Sequence, residues 1–315
     1  MERRGKAVVA DLIEEIEHFG CKIHKDEPLL RHTSFQIGGP ADYFVEIPHK
    51  NALLKFLKLF ENEKIFVLGG GTNVLFADEG FRGVVIKLTG EFEKFDFCQT
   101  KLFCGAGASL PAVLRECANR NLMGLECCAG IPGTVGGAVM GNAGNSTTGI
   151  LEKVLSIEVV NNFTLKTVDN FEISRNYRQN SLKEIVTAVS FLLTPCEKNV
   201  NFAQILRDNQ AKRKLTQPAG LPNAGCIFKN PSNPSNPSKT GQSGAILESA
   251  GRLIDQAGLK GTKIGGARIS EVHANFIVNE NNAKAADVLA LIAMIKREVK
   301  GKFGIDLHEE IKIAD

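Results

Sequence analysis

Gly69-Gly-Gly-Thr-Asn-Val-Leu75 follows directly on the short apolar run Ile65-Phe-Val-Leu68. A second glycine-rich stretch, Gly130-Ile-Pro-Gly-Thr-Val-Gly-Gly-Ala138, is followed closely by Gly141-Asn-Ala-Gly144. Glycine adopts positive φ at little cost and lets a ligand come close to the backbone. Successive amide N–H groups in such turns form an anion-binding concavity suited to a pyrophosphate. Two such stretches, both containing Thr and Asn, favour an anion site over two tight turns that bind nothing.

Neither stretch fits the two common nucleotide-binding patterns. No Gly-Lys-Ser/Thr follows either of them, which excludes the P-loop. Neither has the Gly-x-Gly-x-x-Gly of a strand-to-helix turn with a downstream acid, which excludes the Rossmann fingerprint. The glycines alone leave open which fold presents the turns.

Composition limits the class of protein. The chain has 315 residues, 43% of them hydrophobic and 23% charged, which is typical of a globular protein of two or three domains. The net charge of +3 is too small to indicate a nucleic-acid binder. No apolar run reaches the roughly 18 residues of a membrane span, and no apolar signal segment follows Met1. We expect a cytoplasmic protein, a monomer or weak oligomer, that binds neither nucleic acid nor membrane.

The eight cysteines match neither zinc-binding spacing nor a small disulfide framework. We therefore predict no metal site. Seven of the cysteines are expected to be reduced core residues: Cys21, Cys98, Cys104, Cys117, Cys127, Cys128 and Cys196. Cys226 is considered separately below.

Hydrophobic periodicity predicts an α+β protein. Predicted helices cover 8–20, a segment capped by Asn51, about 110–121, and 285–303, the last with Val288, Leu291, Ile292, Ile295 and Val299 on one side. Predicted strands cover 41–47, 65–68, 84–88, 101–104, 154–160, 164–168, 185–193 and 311–313. The low-complexity segment Asn230–Ser238 contains three prolines, so we expect an exposed loop there.

Four further motifs accompany the glycine stretches in order: His32-Thr-Ser-Phe-Gln-Ile-Gly-Gly-Pro-Ala41, Tyr177-Arg178, Asn223-Ala-Gly-Cys-Ile-Phe-Lys-Asn-Pro231 and Leu307-His-Glu-Glu-Ile311. Together they resemble the UDP-N-acetylenolpyruvoylglucosamine reductase family of the vanillyl-alcohol-oxidase-like FAD-binding superfamily. His32 replaces the family's usual Asn. No tyrosine-bearing insertion follows Leu193, so the chain resembles the shorter branch of the family, which lacks the tyrosine loop.

The resemblance implies a PCMH-type, two-part FAD-binding domain plus an α+β substrate-binding domain. The first FAD-binding part would cover residues 1–90 and be completed by 305–315. The second would cover 91–200, and the substrate-binding domain 201–304. It also implies a two-step reaction in which NADPH reduces non-covalent FAD, and the flavin reduces the enolpyruvyl group of UDP-N-acetylglucosamine enolpyruvate to give UDP-N-acetylmuramate.

Three residues match the family's catalytic positions. Arg178 would hold the substrate carboxylate as charge develops on it, a task that suits the planar guanidinium fork. Glu310 would hydrogen-bond the intermediate, and only the motif favours it over Glu309. Cys226 stands where most of the family has serine, the donor of the C2 proton. A thiol of pKa about 8.5 is mainly protonated at neutral pH and is more acidic than a hydroxyl.

Binding residues also follow from the resemblance. Predicted FAD contacts are Gly69, Gly70, Gly71, Thr72, Asn73, Val74, Leu75, Gly130, Ile131, Pro132, Gly133, Thr134, Gly136, Gly137, Asn142 and Gly144. Predicted substrate contacts are Tyr177, Lys214, Lys229, Asn230 and His273. Lys212 and Arg213, beside Lys214, are equally compatible with an exposed basic helix face.

Two alternatives compete with this interpretation. A related FAD-dependent carbohydrate or lactone oxidase often binds flavin covalently through a histidine near the pyrophosphate turns. No histidine occurs between His49 and His273. A nucleotide-binding regulator without catalysis is the other alternative, and the retention of Arg178, Cys226 and Glu310 argues against it.

Overall fold

The computed structural model describes residues 12, 15–145, 147–197, 200–218, 220–231 and 249–315. Its residues form two compact units. The described residues of Met1–Glu27, Ala41–Gly70 and Arg82–Arg207 belong to unit 1, and those of Pro28–Pro40, Gly71–Phe81 and Asp208–Asp315 belong to unit 2. The predicted three-part division remains a prediction.

Six α-helices have bounds within the described part of the chain. They are α1 (Lys50–Leu59), α2 (Leu110–Asn119), α3 (Val135–Met140), α4 (Phe202–Thr216), α5 (Ala250–Gln256) and α6 (Ala285–Phe303). Residues 12 and 15–17 are also helical, whereas most of the first half of the predicted helix 8–20 lies outside the described residues. No helix of the described residues is both long and apolar enough to cross a membrane.

Two larger sheets form the frame of unit 1. A four-stranded sheet has the order β1-β2-β5-β3, and a five-stranded antiparallel sheet has the order β10-β9-β13-β7-β6. These strands are β1 (Lys22–Pro28), β2 (Pro40–Ile47), β3 (Ile65–Val67), β5 (Phe81–Leu88), β6 (Phe95–Cys98), β7 (Lys101–Gly105), β9 (Val154–Asn161), β10 (Thr164–Asp169) and β13 (Ile185–Leu192). Two short pairs accompany them: β8 (Leu122–Met123) with β14 (Thr194–Pro195), and β11 (Arg175–Asn176) with β12 (Gln179–Asn180).

Unit 2 contains a four-stranded antiparallel sheet of order β15-β18-β17-β16 and a separate parallel pair, β19 with β4. The strands are β4 (Val74–Phe76), β15 (Asn223–Cys226), β16 (Lys263–Ile264), β17 (Ala267–Ile269), β18 (Phe276–Asn279) and β19 (Lys312–Ala314). The last strand thus pairs with residues that directly follow the first glycine turn.

Helix α6 confirms the predicted amphipathic pattern, since it covers the predicted 285–303 and buries the predicted apolar side. Its first turn is fixed by Asp78, whose carboxylate accepts hydrogen bonds from the backbone N–H groups of Ala285 (2.7 Å) and Ala286 (3.0 Å). These donors have no partner within the helix, so the cap satisfies two of them. Each unit has its own apolar core, and α6 contributes to that of unit 2.

Two local predictions were wrong. Helix α1 is capped by His49, whose Nδ1 accepts from Ala52 N–H at 3.1 Å, and not by Asn51, which lies inside the helix. Cys98 is exposed because it ends β6, a strand that buries neither face fully. Cys127 and Cys196 are half-buried, and the other predicted core cysteines are buried. Burial raises the pKa of the Cys21 thiol to about 11, which keeps it protonated.

Candidate active site

The two glycine stretches meet in unit 1. A Cβ atom at Gly70 would lie 2.6 Å from Gly133 Cα, and one at Gly69 would lie 2.7 Å from Thr134 Oγ1. A side chain at Gly70 would collide with the Gly133 backbone, and one at Gly69 would collide with the Thr134 side chain. Gly133 also has a φ of +105°, which L side chains rarely adopt. Glycine is therefore required at both faces of the contact.

The amides at this contact are available to an anion. Within the described part of unit 1, the N–H groups of Gly70, Gly133 and Thr134 donate to no protein acceptor. Gly70 is exposed, and Gly133 and Thr134 are half-buried, so solvent or a ligand can reach these N–H groups. Closely spaced N–H groups of this kind suit a pyrophosphate, so the glycine cradle fits the diphosphate of a dinucleotide.

The remainder of the first glycine stretch lies in unit 2. Gly71 has φ +63°, and a Cβ there would lie 2.0 Å from the carbonyl oxygen of His32. Its own carbonyl accepts hydrogen bonds from the N–H of Ser34 (2.9 Å) and from Ser34 Oγ (3.4 Å). Val74 and Leu75 are buried residues of β4, and their side chains pack in the interior. Their backbone pairs with β19, which fixes the end of the first glycine stretch.

Arg178 occupies the tip of a hairpin in unit 1. Strands β11 and β12 are joined by two residues, Tyr177 and Arg178, and Arg178 has φ +55°. When the second residue of such a turn has positive φ, it is usually Gly or Asn. The guanidinium donates to the carbonyl oxygen of Gly144 at 2.7 Å and lies 4.9 Å from the centre of the Tyr177 ring.

Asparagines fasten this hairpin to the second glycine stretch. Asn142, itself at φ +40°, donates from Nδ2 to the carbonyl of Asn176 at 3.0 Å. Asn180 donates from Nδ2 to the carbonyls of Val139 (2.9 Å) and Met140 (3.0 Å), in the last turn of α3. The structure therefore brings Arg178 together with the predicted Asn142 and Gly144.

Cys226 and Glu310 lie next to each other in unit 2, although 83 residues of sequence separate them. The N–H of Glu310 donates to the carbonyl of Ile227 at 2.8 Å, and Phe228 forms an isolated antiparallel bridge with Glu309. Asn73 Nδ2 donates to the carbonyl of Glu310 at 3.1 Å. Both Cys226 and Glu310 are half-buried. The thiol and the carboxylate are thus carried on adjacent backbone segments, next to the first glycine stretch.

Glu309, which precedes Glu310, forms an ion pair with a lysine. Its carboxylate is 2.8 Å from Lys296 Nζ. Burial acts to raise the pKa of Glu309, but the hydrogen bond from Lys296 and further favourable contacts outweigh burial, so the pKa lies below its usual value. An ion-paired carboxylate of low pKa is poorly suited to donate a proton or a hydrogen bond. Glu309 is therefore a poor candidate for the acid, and the assignment of Glu310 stays a prediction from the motif.

His273 is held as a neutral imidazole of defined tautomer. Burial lowers its pKa, a backbone hydrogen bond opposes this, and the charge of Lys260 adds to the lowering. The Nδ1 atom accepts from Asn275 N–H at 3.2 Å, which leaves the proton on Nε2. The imidazole therefore offers one N–H donor.

The remaining predicted substrate residues of unit 2 lie in two places, the segment that follows β15 and helix α4. Lys229 N–H donates to the carbonyl of His308 at 2.9 Å, and Asn230 Oδ1 accepts from Ala250 N–H at 3.0 Å, at the start of α5. Lys214 is exposed in the last turn of α4, where a cation also interacts favourably with the helix dipole. From residue 232 onward, the predicted 230–240 loop lies outside the described residues.

Sequence reasoning missed two positioning residues. Ser34 Oγ bonds the carbonyl of Asn223 at 2.7 Å and so joins the opening motif to the cysteine motif. Asn275 is buried and bonds both the N–H (2.9 Å) and the carbonyl (2.8 Å) of Phe228. The signal for Asn275 was an amide between apolar residues in Ala274-Asn-Phe276, which predicts a buried polar group that must find partners.

Protein-family models, relatives of known name and a solved structure all match this chain. A family model for the C-terminal domain of UDP-N-acetylenolpyruvoylglucosamine reductase matches residues 217–314, and a model for an FAD binding domain matches residues 41–162. A UDP-N-acetylenolpyruvoylglucosamine reductase of Symbiobacterium thermophilum is 39% identical over 97% of this chain and 96% of its own length. One from Chloroherpeton thalassium is 40% identical over 97% and 96%. The crystal structure of the enzyme of that name from Thermus caldophilus matches with a TM-score of 0.77 and 34% identity, over 94% of this chain and 99% of that one.

Proposed function

Because this chain belongs to the UDP-N-acetylenolpyruvoylglucosamine reductase family, we propose that it reduces UDP-N-acetylglucosamine enolpyruvate to UDP-N-acetylmuramate. The reaction consumes NADPH, requires FAD, and supplies a precursor of peptidoglycan. The observation that carries this proposal is the family match over nearly the whole chain. The glycine cradle of unit 1 supports FAD as the cofactor, because its close backbone contact and unpaired amides suit a pyrophosphate.

Bound FAD would supply hydride transfer from NADPH to the substrate, and the protein residues would bind, orient and protonate the reacting group. When the substrate C3 is reduced, electron density moves toward its carboxylate. Arg178 would stabilise that charge, since its guanidinium is fixed by the Gly144 carbonyl and by the strained hairpin tip. Because the Arg178 side chain is already held in place, it loses less conformational entropy when it binds the carboxylate.

Cys226 would deliver the proton to C2 of the substrate from its Sγ. The thiol is half-buried at the end of β15, and Gly225 before it has φ +77°, which sets the direction of the chain at this point. General acids contribute roughly 10²–10⁴-fold to rate when they are correctly placed. Glu310, on the segment bonded to Ile227, would hydrogen-bond the developing intermediate beside the thiol.

The substrate nucleotide would be held by Tyr177, Lys214, Lys229, Asn230 and His273. The lysines supply charge for the diphosphate, and the neutral His273 supplies an Nε2–H donor. We further propose that the enzyme works in the cytoplasm as a monomer or weak oligomer.

The test is to purify the protein under air-free conditions and record its visible spectrum. We expect a flavin spectrum that NADPH bleaches and that UDP-N-acetylglucosamine enolpyruvate restores without oxygen. Release of the flavin on denaturation distinguishes this enzyme from a covalent carbohydrate or lactone oxidase. A protein without flavin, or one whose reduced flavin is reoxidised only by oxygen, would contradict the proposal.

A further inference from the structure

Two adjacent thiols lie immediately before the second glycine turn. Cys127 and Cys128 form a short 3-10 turn with Glu126, and their Sγ atoms are 3.7 Å apart. Cys127 is half-buried, whereas Cys128 is buried. A solvent-accessible thiol in contact with a second, sheltered thiol is the arrangement of a reactive and a resolving cysteine.

Hydrogen bonding gives the two sulfurs unequal acidity. The bond from Cys128 lowers the pKa of Cys127, burial and the charge of Glu126 act against this, and the charge of Arg178 adds to the lowering. The same bond and burial raise the pKa of Cys128. Cys127 is therefore the more acidic thiol of the pair. The thiolate is the form that reacts with oxidants.

The pair is also connected to the proposed catalytic arginine. Cys128 Sγ lies 3.7 Å from the carbonyl of Ala143, and Arg178 bonds the carbonyls of Gly144 (2.7 Å) and Asn145 (3.5 Å). The carbonyls of three consecutive residues, 143 to 145, thus contact Cys128 and the guanidinium of Arg178. Cys128 Sγ contacts both Cys127 Sγ and the carbonyl of Ala143, so a covalent bond to Cys127 would change the contact of Cys128 with this segment.

We propose that Cys127 and Cys128 form a redox-sensitive dithiol that hydroperoxides convert to a disulfide, with weaker binding of FAD as the result. The Cys127 thiolate attacks the peroxide O–O bond, forms a sulfenic acid and releases hydroxide. The Cys128 sulfur then displaces water from the sulfenic acid as the S–S bond forms. Two thiols and one hydrogen peroxide give one disulfide and two waters, so the peroxide takes both electrons.

The disulfide requires the turn to change shape. Adjacent Cα atoms are about 3.8 Å apart, below the roughly 4.4 Å minimum of ordinary disulfides. The turn is held by bonds from Cys128 N–H to Leu125 (3.0 Å) and from Ile131 N–H to Cys128 (2.9 Å). The second bond positions Gly130-Ile-Pro-Gly133, part of the cradle. A strained disulfide is also easily reduced, so the modification would be reversible.

The experiment treats the flavin-bound protein with a small excess of hydrogen peroxide, blocks remaining thiols and maps its peptides by mass. We expect the peptide containing Cys127 and Cys128 to lose two hydrogen atoms and to resist alkylation. Flavin release, followed by fluorescence after removal of free FAD, should rise with disulfide content and reverse with dithiothreitol and added FAD.

The variants Cys127→Ser and Cys128→Ser should keep their flavin under the same treatment. Cys98→Ser is the matched control, because Cys98 is exposed but forms no such pair, and it should behave like the wild type. Oxidation of Cys127 only to sulfinic acid would overturn the disulfide. A disulfide that forms without flavin release would overturn its effect on FAD. Peptide mapping does not depend on the proposed function, so a protein purified without flavin would contradict that function and leave the disulfide testable.

Discussion

At Arg178 the backbone adopts φ +55°, a conformation that costs a non-glycine residue about 1 kcal/mol. Its neighbour Tyr177 is exposed, so neither residue of the turn is retained for core packing. The strain places the guanidinium against the carbonyl of Gly144. Residues held in unfavourable backbone conformations often serve function, and this one coincides with the predicted carboxylate-binding group.

We predict that Arg178→Gly separates stability from activity. Relief of the positive-φ strain should offset the lost hydrogen bonds, so the free energy of unfolding should change by less than about 1 kcal/mol. Loss of the cation should lower kcat/KM for the enolpyruvyl substrate by about 10²–10³-fold. Urea unfolding and steady-state kinetics measure the two effects. Arg178→Lys keeps the charge but loses the planar fork, and should recover only part of the rate; normal kcat/KM in both variants would contradict the assignment.

Cys226 gives a prediction about a single step. Cys226→Ala should still accept electrons from NADPH, whereas reoxidation of its flavin by the enolpyruvyl substrate should slow by about 10²–10⁴-fold because no acid reaches C2. Cys226→Ser should retain substantial reoxidation. Anaerobic stopped-flow absorbance follows both half-reactions. Reoxidation of the alanine variant at the wild-type rate, with the serine variant no different, would remove Cys226 from the mechanism.

Among the elements, the glycine turns depend on backbone approach more than on side chains. Gly70 meets Gly133 at a distance no Cβ tolerates, and Thr134 at the start of α3 accepts from Gly137 N–H at 3.3 Å. The same sequence signal, glycine, occurs at Gly301 in α6 without any neighbour within 4 Å. These two positions therefore provide a matched pair for a test of the cradle.

Gly70→Ala should weaken FAD binding, because the new Cβ displaces the Gly133 segment and with it the amides that face the pyrophosphate. The dissociation constant of FAD, measured by fluorescence quenching on the apoprotein, should rise at least about tenfold, which corresponds to about 1.4 kcal/mol. Gly301→Ala should leave FAD binding unchanged and stabilise the protein by about 0.5–1 kcal/mol. Equal FAD binding by both variants would contradict the role of the contact.

Asn275 holds the segment that carries Cys226. Its amide bonds both backbone polar groups of Phe228 in a buried setting, so Asn275→Ala leaves an N–H and a carbonyl unsatisfied. Each unsatisfied group costs about 1–3 kcal/mol. We expect a loss of that order per group in the free energy of unfolding. Asn275→Asp keeps an acceptor for the Phe228 N–H but buries a charge against the Phe228 carbonyl, so it should also be destabilised. An alanine variant as stable as the wild type in urea unfolding would refute this account.

For the whole molecule, the lowered pKa of His273 predicts a pH dependence of stability. The folded protein keeps this imidazole neutral, whereas the unfolded chain takes up a proton near pH 6.5. Stability is therefore unaffected above that pH and falls as the pH decreases from 6.5 toward the lower folded pKa. The lowered pKa of Glu309 acts only below 4.5, outside this window.

His273→Gln removes the titrating group. Urea unfolding of the apoprotein at about pH 7.5 and about pH 5.5 should show a smaller loss of stability in the variant than in the wild type. Identical pH dependence in wild type and His273→Gln would contradict the assignment.

The sequence by itself determined the elements with strong periodicity, and its motifs supplied the candidate site residues. Local patterns predict helix α6, the central strands of the five-stranded sheet, and the glycine turns. Strand β1, Lys22–Pro28, was not predicted, because its residues are mostly polar and it buries little, so pairing with β2 decides it. The cap of α1 was also not predicted, because the backbone conformation at the start of the helix decides that His49, and not Asn51, accepts the hydrogen bond.

Only the tertiary structure decided which residue pairs with Glu309 and which residues join segments that are distant in sequence. Lys296 pairs with Glu309, and the carbonyl of Ile227 fixes Glu310 beside the Cys226 segment. Ser34 and Asn275 act through bonds to residues distant in sequence. The physical reason is that periodicity reports which side chains are buried, whereas hydrogen-bond partners far along the chain are chosen only when the backbone segments meet.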